Sequence, residues 1–358
     1  MNSQTRIRVI LLGLLLATVS AVAPAQQKNL KQLLNFRGQW KFEIGDDMKR
    51  ASVVFPDGNW DVVTAPSPWE DQGYPGYDGY AWYRKHFSVP AQWKGKALYV
   101  RLGYVDDVDE VYVNGQIIGF QGQFPPQYVT AYNLPREYLL PVDILNFSGD
   151  NVIAVRVFDN ELSGGIMGGD LGIYEDFNAI VPEVPLADEW KLSTGDNSRW
   201  ADPGFDDRSW KTARVPAYWE TQGLKGYDGF GWYRTSFRVS ADFAGQTMVL
   251  LLGRIDDFDE AYLNGELVGK TGRMPPGGDV SPGSSDEYLI VRAYTIPAGQ
   301  LHSDRDNVIA VRVYDGFLHG GIYEGPIGLA TRDTYRAWTR LQRDPKGFLD
   351  RMFEFFSR

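Results

Sequence analysis

Two stretches of the chain, 150 residues apart, are nearly the same: Trp69 to Arg84 reads WEDQGYPGYDGYAWYR, and Trp219 to Arg234 reads WETQGLKGYDGFGWYR. The offset is constant from Trp40/Trp190 through Pro126/Pro276, and LGYVDDVDEVYVNG, ending at Gly115, matches LGRIDDFDEAYLNG, ending at Gly265. An insertion lengthens the second copy around Gly277 to Ile290. The match then resumes as REYLLP (Arg136 to Pro141) against RAYTIP (Arg292 to Pro297), and as NVIAVRVFD (Asn151 to Asp159) against NVIAVRVYD (Asn307 to Asp315). Each copy next carries a glycine pair, Gly164-Gly165 and Gly320-Gly321. A unit of this length closes its own core, so two copies mean tandem domains and not a solenoid.

Within a copy the signals are all-β. NVIAVRV alternates two faces, and Asn114-Gly115 and Asn264-Gly265 sit between apolar runs as hairpin turns that need positive φ. Many short strands punctuated by Pro and Gly predict a sandwich or jelly roll. The expected division is a leader over 1–25, one jelly-roll β-sandwich over 26–180, a second over 187–331 and a short C-terminal helical tail over 332–358. Pro182 and Pro185 stiffen the joint. In the tail Tyr335, Trp338 and Leu341 recur at helical spacing, with docking on the second sandwich or a partner contact as its two readings.

The first 25 residues carry Arg6 and Arg8, an apolar run from Val9 to Val22, and small residues at Ala21, Ala23 and Ala25. This is the order of a secretory signal peptide, and it predicts a periplasmic or extracellular protein. No later segment is apolar for long enough to span a bilayer. There is no cysteine, which excludes disulfides and thiolate metal sites. A formal charge of −10 supplies no field for nucleic acid.

Period-two arithmetic puts Ile153, Val155 and Val157 on one face with Val111, Val113, Tyr83 and Phe87. The other face carries Trp82, Arg84, Glu110, Tyr112, Arg156 and Phe158, repeated as Trp232, Arg234, Glu260, Tyr262, Arg312 and Tyr314. Planar rings beside fixed charges suit a sugar: the ring stacks on the pyranose and the charged groups bind hydroxyls. The candidate carbohydrate-binding residues are Trp69, Tyr77, Asp78, Trp82 and Arg84, with Trp219, Tyr227, Asp228, Trp232 and Arg234. The structural alternative is that Arg84 and Glu110 form a cross-strand ion pair and Trp69 plugs the sandwich end.

No catalytic residue is nominated. Asp106, Asp107, Asp109 and Glu110, repeated as Asp256, Asp257, Asp259 and Glu260, are sequence neighbours at a strand entry and do not face across a sugar-sized gap. Side chains capping backbone N–H groups explain them, with a structural Ca²⁺ as the second option and no other cofactor or metal expected. His86, His302 and His319 show no zinc spacing. No nucleophile elbow and no nucleotide loop is present.

As a set, YDG-x-x-WYR-x-x-F at Tyr77 to Phe87, DD-x-DE-x-Y-x-NG, R-x-Y-x-x-P and N-V-I-A-V-R-V followed by GG resemble the galactose-binding-like jelly-roll domain. That domain is the sugar-binding part of family 2 glycoside hydrolases such as β-galactosidases and β-glucuronidases. The motifs are also similar to the β-sandwich of sialate O-acetylesterases. The resemblance spans both copies and implies the fold. In those enzymes the catalytic residues lie in a separate domain, so none has a position here to be carried onto. The expected function is a non-catalytic carbohydrate-binding protein with a glycan ligand, acting alone or as accessory subunit of a glycan-degrading enzyme. The alternative is a glycoside hydrolase or carbohydrate esterase with its site between the sandwiches.

Overall fold

A computed structural model describes residues 28–275 and 286–343. The expected leader over 1–25, most of the insertion near Gly277 and the part of the expected helical tail beyond 343 lie outside the described residues.

The first copy contributes β1 (Leu30–Asn35), β2 (Gly38–Ile44), β3 (Asp61–Ala65), β4 (Gly79–Phe87) and β5 (Leu98–Asp106). It continues with β6 (Val108–Val113), β7 (Gln116–Gln121), β8 (Pro135–Leu140), β9 (Asn151–Asp159) and β10 (Gly165–Asp176). A four-stranded sheet, β1-β10-β5-β8, packs on a six-stranded sheet, β3-β2-β4-β9-β6-β7. The second copy supplies β11 (Val184–Pro185), β12 (Asp188–Thr194), β13 (Lys211–Val215), β14 (Gly229–Phe237) and β15 (Met248–Asp256). Then follow β16 (Phe258–Leu263), β17 (Glu266–Thr271), β18 (Val291–Ile296), β19 (Asn307–Asp315) and β20 (Gly321–Thr331). Its sheets run β11-β20-β15-β18 and β13-β12-β14-β19-β16-β17, the same order shifted by ten strands. The duplication read from the sequence is therefore a duplication of topology, and the all-β class holds. The short β11 falls in the stretch read as a joint and pairs with β20, as β1 pairs with β10.

The core follows the alternation. Ile153, Val155 and Val157 of β9 are fully buried, as are Val111, Val113 and Tyr83, and they pack with Trp40, Phe42 and Trp69. The Asn-Gly turns have positive φ at both residues, 52° and 81° at Asn114-Gly115 and 51° and 88° at Asn264-Gly265. This backbone matches the right-handed twist of the strands it joins. Gly103 (φ +64°) sits where a Cβ would be 1.7 Å from the Gly168 carbonyl oxygen, so no other residue fits that crossing of β5 and β10.

The opposite face of the six-stranded sheet is not open. Residues 45–60, between β2 and β3, fold back over it, and Ala51, Phe55 and Trp60 pack on Trp82, Tyr112 and Ala154. In the second copy Ala201, Trp200 and Trp210 cover Trp232 and Ala310 in the same way. The C-terminal helix, Arg332–Arg343, docks Trp338 against Ile180, Val249 and Leu251, and the indole N–H donates to the Asn178 carbonyl at 2.9 Å. Among the described residues no helix is long and apolar enough to cross a membrane.

Candidate functional site

The structure encloses six of the ten candidate sugar-binding side chains. Trp69, Trp82, Arg84 and Trp219 are 0% exposed, Trp232 1% and Arg234 2%. Trp69 plugs the sandwich end: its indole N–H donates to the Tyr77 carbonyl at 3.0 Å, and its ring lies so close to Gly164 that a Cβ there would be 2.2 Å away. Trp82 stacks on Tyr112 at 5.8 Å beneath the 45–60 segment. Arg84 donates from Nε to Asp57 at 2.8 Å and from its Nη atoms to the Arg50, Ser52 and Phe55 carbonyls. A ring with both faces covered has none to offer a pyranose, so the four Trp rings pack where stacking on sugar was expected, and the Arg84 and Arg234 guanidinium groups, expected to bind hydroxyls, are engaged by the covering segments. Tyr77 and Tyr227 are half-buried, with hydroxyls donating to the Tyr80 and Phe230 carbonyls at 2.8 Å. Asp78 and Asp228 are exposed.

The Arg84–Glu110 pair considered from the sequence is not formed. Glu110 pairs with Arg156 across β6 and β9 at 3.0 Å, and Arg156 also holds Asp46. Glu260 pairs with Arg312 at 3.0 Å, and Arg312 holds Asp196. Here the copies diverge. In the first, the Phe124 ring lies 4.1 Å from the Arg156 guanidinium, Lys225 reaches across from the second copy to Glu110 at 3.3 Å, and Tyr112 is buried. In the second, Tyr262 is half-buried, stacked on Trp232 at 5.7 Å, and the same offset puts Met274 where Phe124 stands. Asp196, Asn197, Ser198, Trp232, Tyr262 and Arg312 there line a shallow groove of about 420 Å³.

A larger cleft of about 640 Å³ runs between the two sandwiches. Lys28 lies in its wall and bridges Glu137 of the first copy and Glu324 of the second, at 2.7 and 2.9 Å. Arg101 also holds Glu137, and Arg254 and the Tyr99 hydroxyl hold Glu324. Burial would raise the Glu137 carboxyl, but Lys28 and Arg101 outweigh it and hold it below the usual range. A general acid for glycoside cleavage needs the opposite displacement. Arg214 reaches Asp143 and Gln116 across the same cleft, and Tyr218 stacks on Tyr323 at 4.9 Å.

The acidic run splits three ways. Asp109 turns into the core, fully buried, and pairs with Arg136, whose remaining N–H groups go to the Val105, Asp107, Ala131 and Leu134 carbonyls. Glu110 faces the opposite side. Asp106 and Asp107 turn to the sandwich end, where Asp159, at the close of β9, joins them with carboxylate oxygens all within 4.8 Å. Asp107 accepts from the Asn160 N–H at 3.1 Å and from the Thr130 hydroxyl, the backbone capping the sequence suggested. The second copy repeats the trio as Asp256, Asp257 and Asp315. Burial, then repulsion within the trio, pushes Asp106 up to about 6, Asp159 to about 7 and Asp256 to about 9; burial pushes Asp315 up to about 8, with the Phe317 N–H working against it and Glu220 and Asp257 adding repulsion. Sequence reasoning did not single out Asp159 or Asp315. The available signal was position: each closes the strand NVIAVRV-x-D on the core-facing parity.

Residues 59–163 and 195–316 match the family model of the β-galactosidase second all-beta domain. The chain is similar to the β-galactosidase BoGH2A of Bacteroides ovatus, 28% identical over 172 residues, 44% of this chain and 18% of that protein. A β-galactosidase of Thermoanaerobacter pseudethanolicus is 31% identical over 164 residues, 44% of this chain and 21% of that protein. A β-glucuronidase of Formosa agariphila is 29% identical over 136 residues, 34% and 13% of the two chains. The match thus spans a small part of each of these relatives. Among solved structures, Bacteroides uniformis β-glucuronidase aligns with 80% of this chain and 28% of its own, at 17% identity and a TM-score of 0.34.

Proposed function

The chain belongs to the β-galactosidase second all-beta domain family, a family 2 glycoside hydrolase type of accessory β-sandwich, and from that premise we propose that it binds carbohydrate without cleaving it. The observation that carries this reading is the groove on the second sandwich. Tyr262 lies over Trp232 beside Arg312, Glu260 and Asp196, so one half-exposed ring and oriented charged groups meet in one concave place. That is the chemistry a sugar needs, a flat apolar face and hydrogen-bonding groups around it. The equivalent place in the first sandwich is filled by Phe124 and Lys225, so one site per chain is expected. The named activities of the relatives suggest a glycan carrying β-linked galactose or glucuronic acid. Export through the 1–25 segment, and service as an accessory to a glycan-degrading enzyme, complete the proposal.

A glycan array with the purified protein, followed by calorimetry on the hits, tests it. Tyr262→Ala should weaken binding about 5- to 10-fold, since one stacked ring contributes roughly 1 kcal/mol beyond its area. Tyr112→Ala should leave binding unchanged. Equal losses from both variants, or no glycan bound, would refute the site. The second reading, hydrolysis in the cleft, rests on two carboxylates, Glu137 and Glu324, one from each copy, lining it together. Turnover by pure protein that Glu137→Gln or Glu324→Gln abolishes would establish it instead.

A further inference from the structure

We propose that each sandwich end binds one calcium-like cation, held by Asp106, Asp107 and Asp159 in the first copy and by Asp256, Asp257 and Asp315 in the second. A group of carboxylates on a surface is common and needs no ion. These trios differ in one respect. Asp159 is 0% exposed, and among the described residues neither of its carboxylate oxygens has a hydrogen-bond partner. Asp315 is equally buried; one oxygen accepts from the Phe317 N–H at 3.1 Å and the other has no partner. In each copy this carboxylate comes within 4.8 Å of those of the two neighbouring aspartates.

Burying a carboxylate without a counter-charge is costly, and native chains pair such groups or give them to a metal. Among the described residues no Lys or Arg forms an ion pair with any of the six aspartates. Arg136, which donates to the Asp107 carbonyl, is taken up by Asp109 and four carbonyls in all; Arg292 is taken up by Asp259 and the Glu287, Ile290 and Asp257 carbonyls. The loops that follow, NELSGG and GFLHGG, differ at their first, second and fourth positions, and the trio recurs in both copies.

The donors select the ion. All are oxygens, which favours hard cations over zinc or copper. Three carboxylates whose oxygens lie within 4.8 Å of one another can share one cation at calcium–oxygen distances of about 2.4 Å, whereas magnesium gives up its water reluctantly and is usually held through one or two carboxylates. The ion would tie the β5–β6 junction to the loop after β9, and so pin the sandwich end that Trp69 fills. This inference is independent of the glycan reading.

Calorimetry of chelator-stripped protein with Ca²⁺, and with Mg²⁺ as a second titrant, tests it alongside melting curves. We expect two Ca²⁺ per chain, one after Asp159→Asn or Asp315→Asn, and none after both, with the calcium-dependent rise in Tm lost in step. Terbium luminescence sensitised by the neighbouring Tyr and Trp residues gives the same count on wild-type protein, so the result stands even where a variant folds poorly. No bound ion in the wild type, two ions retained in the double variant, or Mg²⁺ bound as tightly as Ca²⁺ would overturn the proposal.

Discussion

Replacing Arg84 by methionine tests whether the outer face of the first sandwich is closed by design. Every hydrogen-bond acceptor of the guanidinium lies in the covering segment: Asp57 at 2.8 Å, the Ser52 carbonyl at 3.0 Å, the Phe55 carbonyl at 3.4 Å and the Arg50 carbonyl. Methionine keeps much of the side-chain volume and removes all four bonds. Breaking a buried pair by deleting one partner costs roughly 3–5 kcal/mol. The Asp57 side chain is 13% exposed and also accepts from His86 at 3.1 Å, so water and the imidazole take up part of its charge. That puts the expected loss near the low end, about 3 kcal/mol. For a domain of this size each kcal/mol lowers Tm by roughly 2–4 °C, so the first sandwich should melt about 10 °C earlier. Urea unfolding and calorimetry measure the loss, and limited proteolysis should find new cleavage within 45–60. Arg84→Lys should recover the charge but not the fork, and lose about half as much. Arg234→Met is the internal replicate, since Arg234 reaches Asp207 and the Trp200 and Asp202 carbonyls in the same way. A loss below about 1 kcal/mol with unchanged proteolysis would refute the reasoning. The sheet face would then open readily, and Trp82 would return as a ring able to stack on sugar.

Three further outcomes are expected. Asp109→Ala strands the buried Arg136 charge and should cost about 3–5 kcal/mol in urea unfolding, whereas Tyr138→Phe, which removes one bond to Asp109, should cost about 1 kcal/mol. Gly253→Ala places a Cβ 1.7 Å from the Glu324 carbonyl oxygen at φ +57° and should abolish soluble folding, while Gly58→Ala, which meets nothing within 4 Å, should change stability by less than about 0.5 kcal/mol. His319 lies between Phe120 and Tyr218, at 4.5 and 5.1 Å, and burial pushes it down to about 4. The unfolded chain therefore takes up this proton first, and the contribution of His319 to stability should fall as pH drops from about 6.5 to about 4, by at most roughly 1.4 kcal/mol per unit, and level off below, opposite in sign to that of the raised aspartates. His319→Phe should remove that part of the slope, and identical wild-type and variant profiles would contradict the assignment.

The repeat and the alternation in NVIAVRV were enough to read two sandwiches and the side of each central strand that faces the core. The closing of the opposite face was not legible. Its cover, Ala51, Phe55 and Trp60, is scattered through ASVVFPDGNW, a stretch punctuated by Pro56 and Gly58 that has neither strand nor helix periodicity. Only tertiary packing brings it over Trp82. More of the acidic run is legible by parity. Asp109 shares parity with Val111 and Val113, and Asp159 with Val155 and Val157, so both carboxylates point to the core side of their strands while Glu110 points away. The same counting that found the core therefore divides the acidic run. What it does not reveal is the partner. Arg136 comes to Asp109 from β8, which is hydrogen-bonded to β5 in the other sheet, and no local pattern announces that meeting. Asp109 thus carries its counter-charge within the chain. Among the described residues Asp159, of the same parity and equally buried, has none, and that difference is the ground on which the proposed cation site rests.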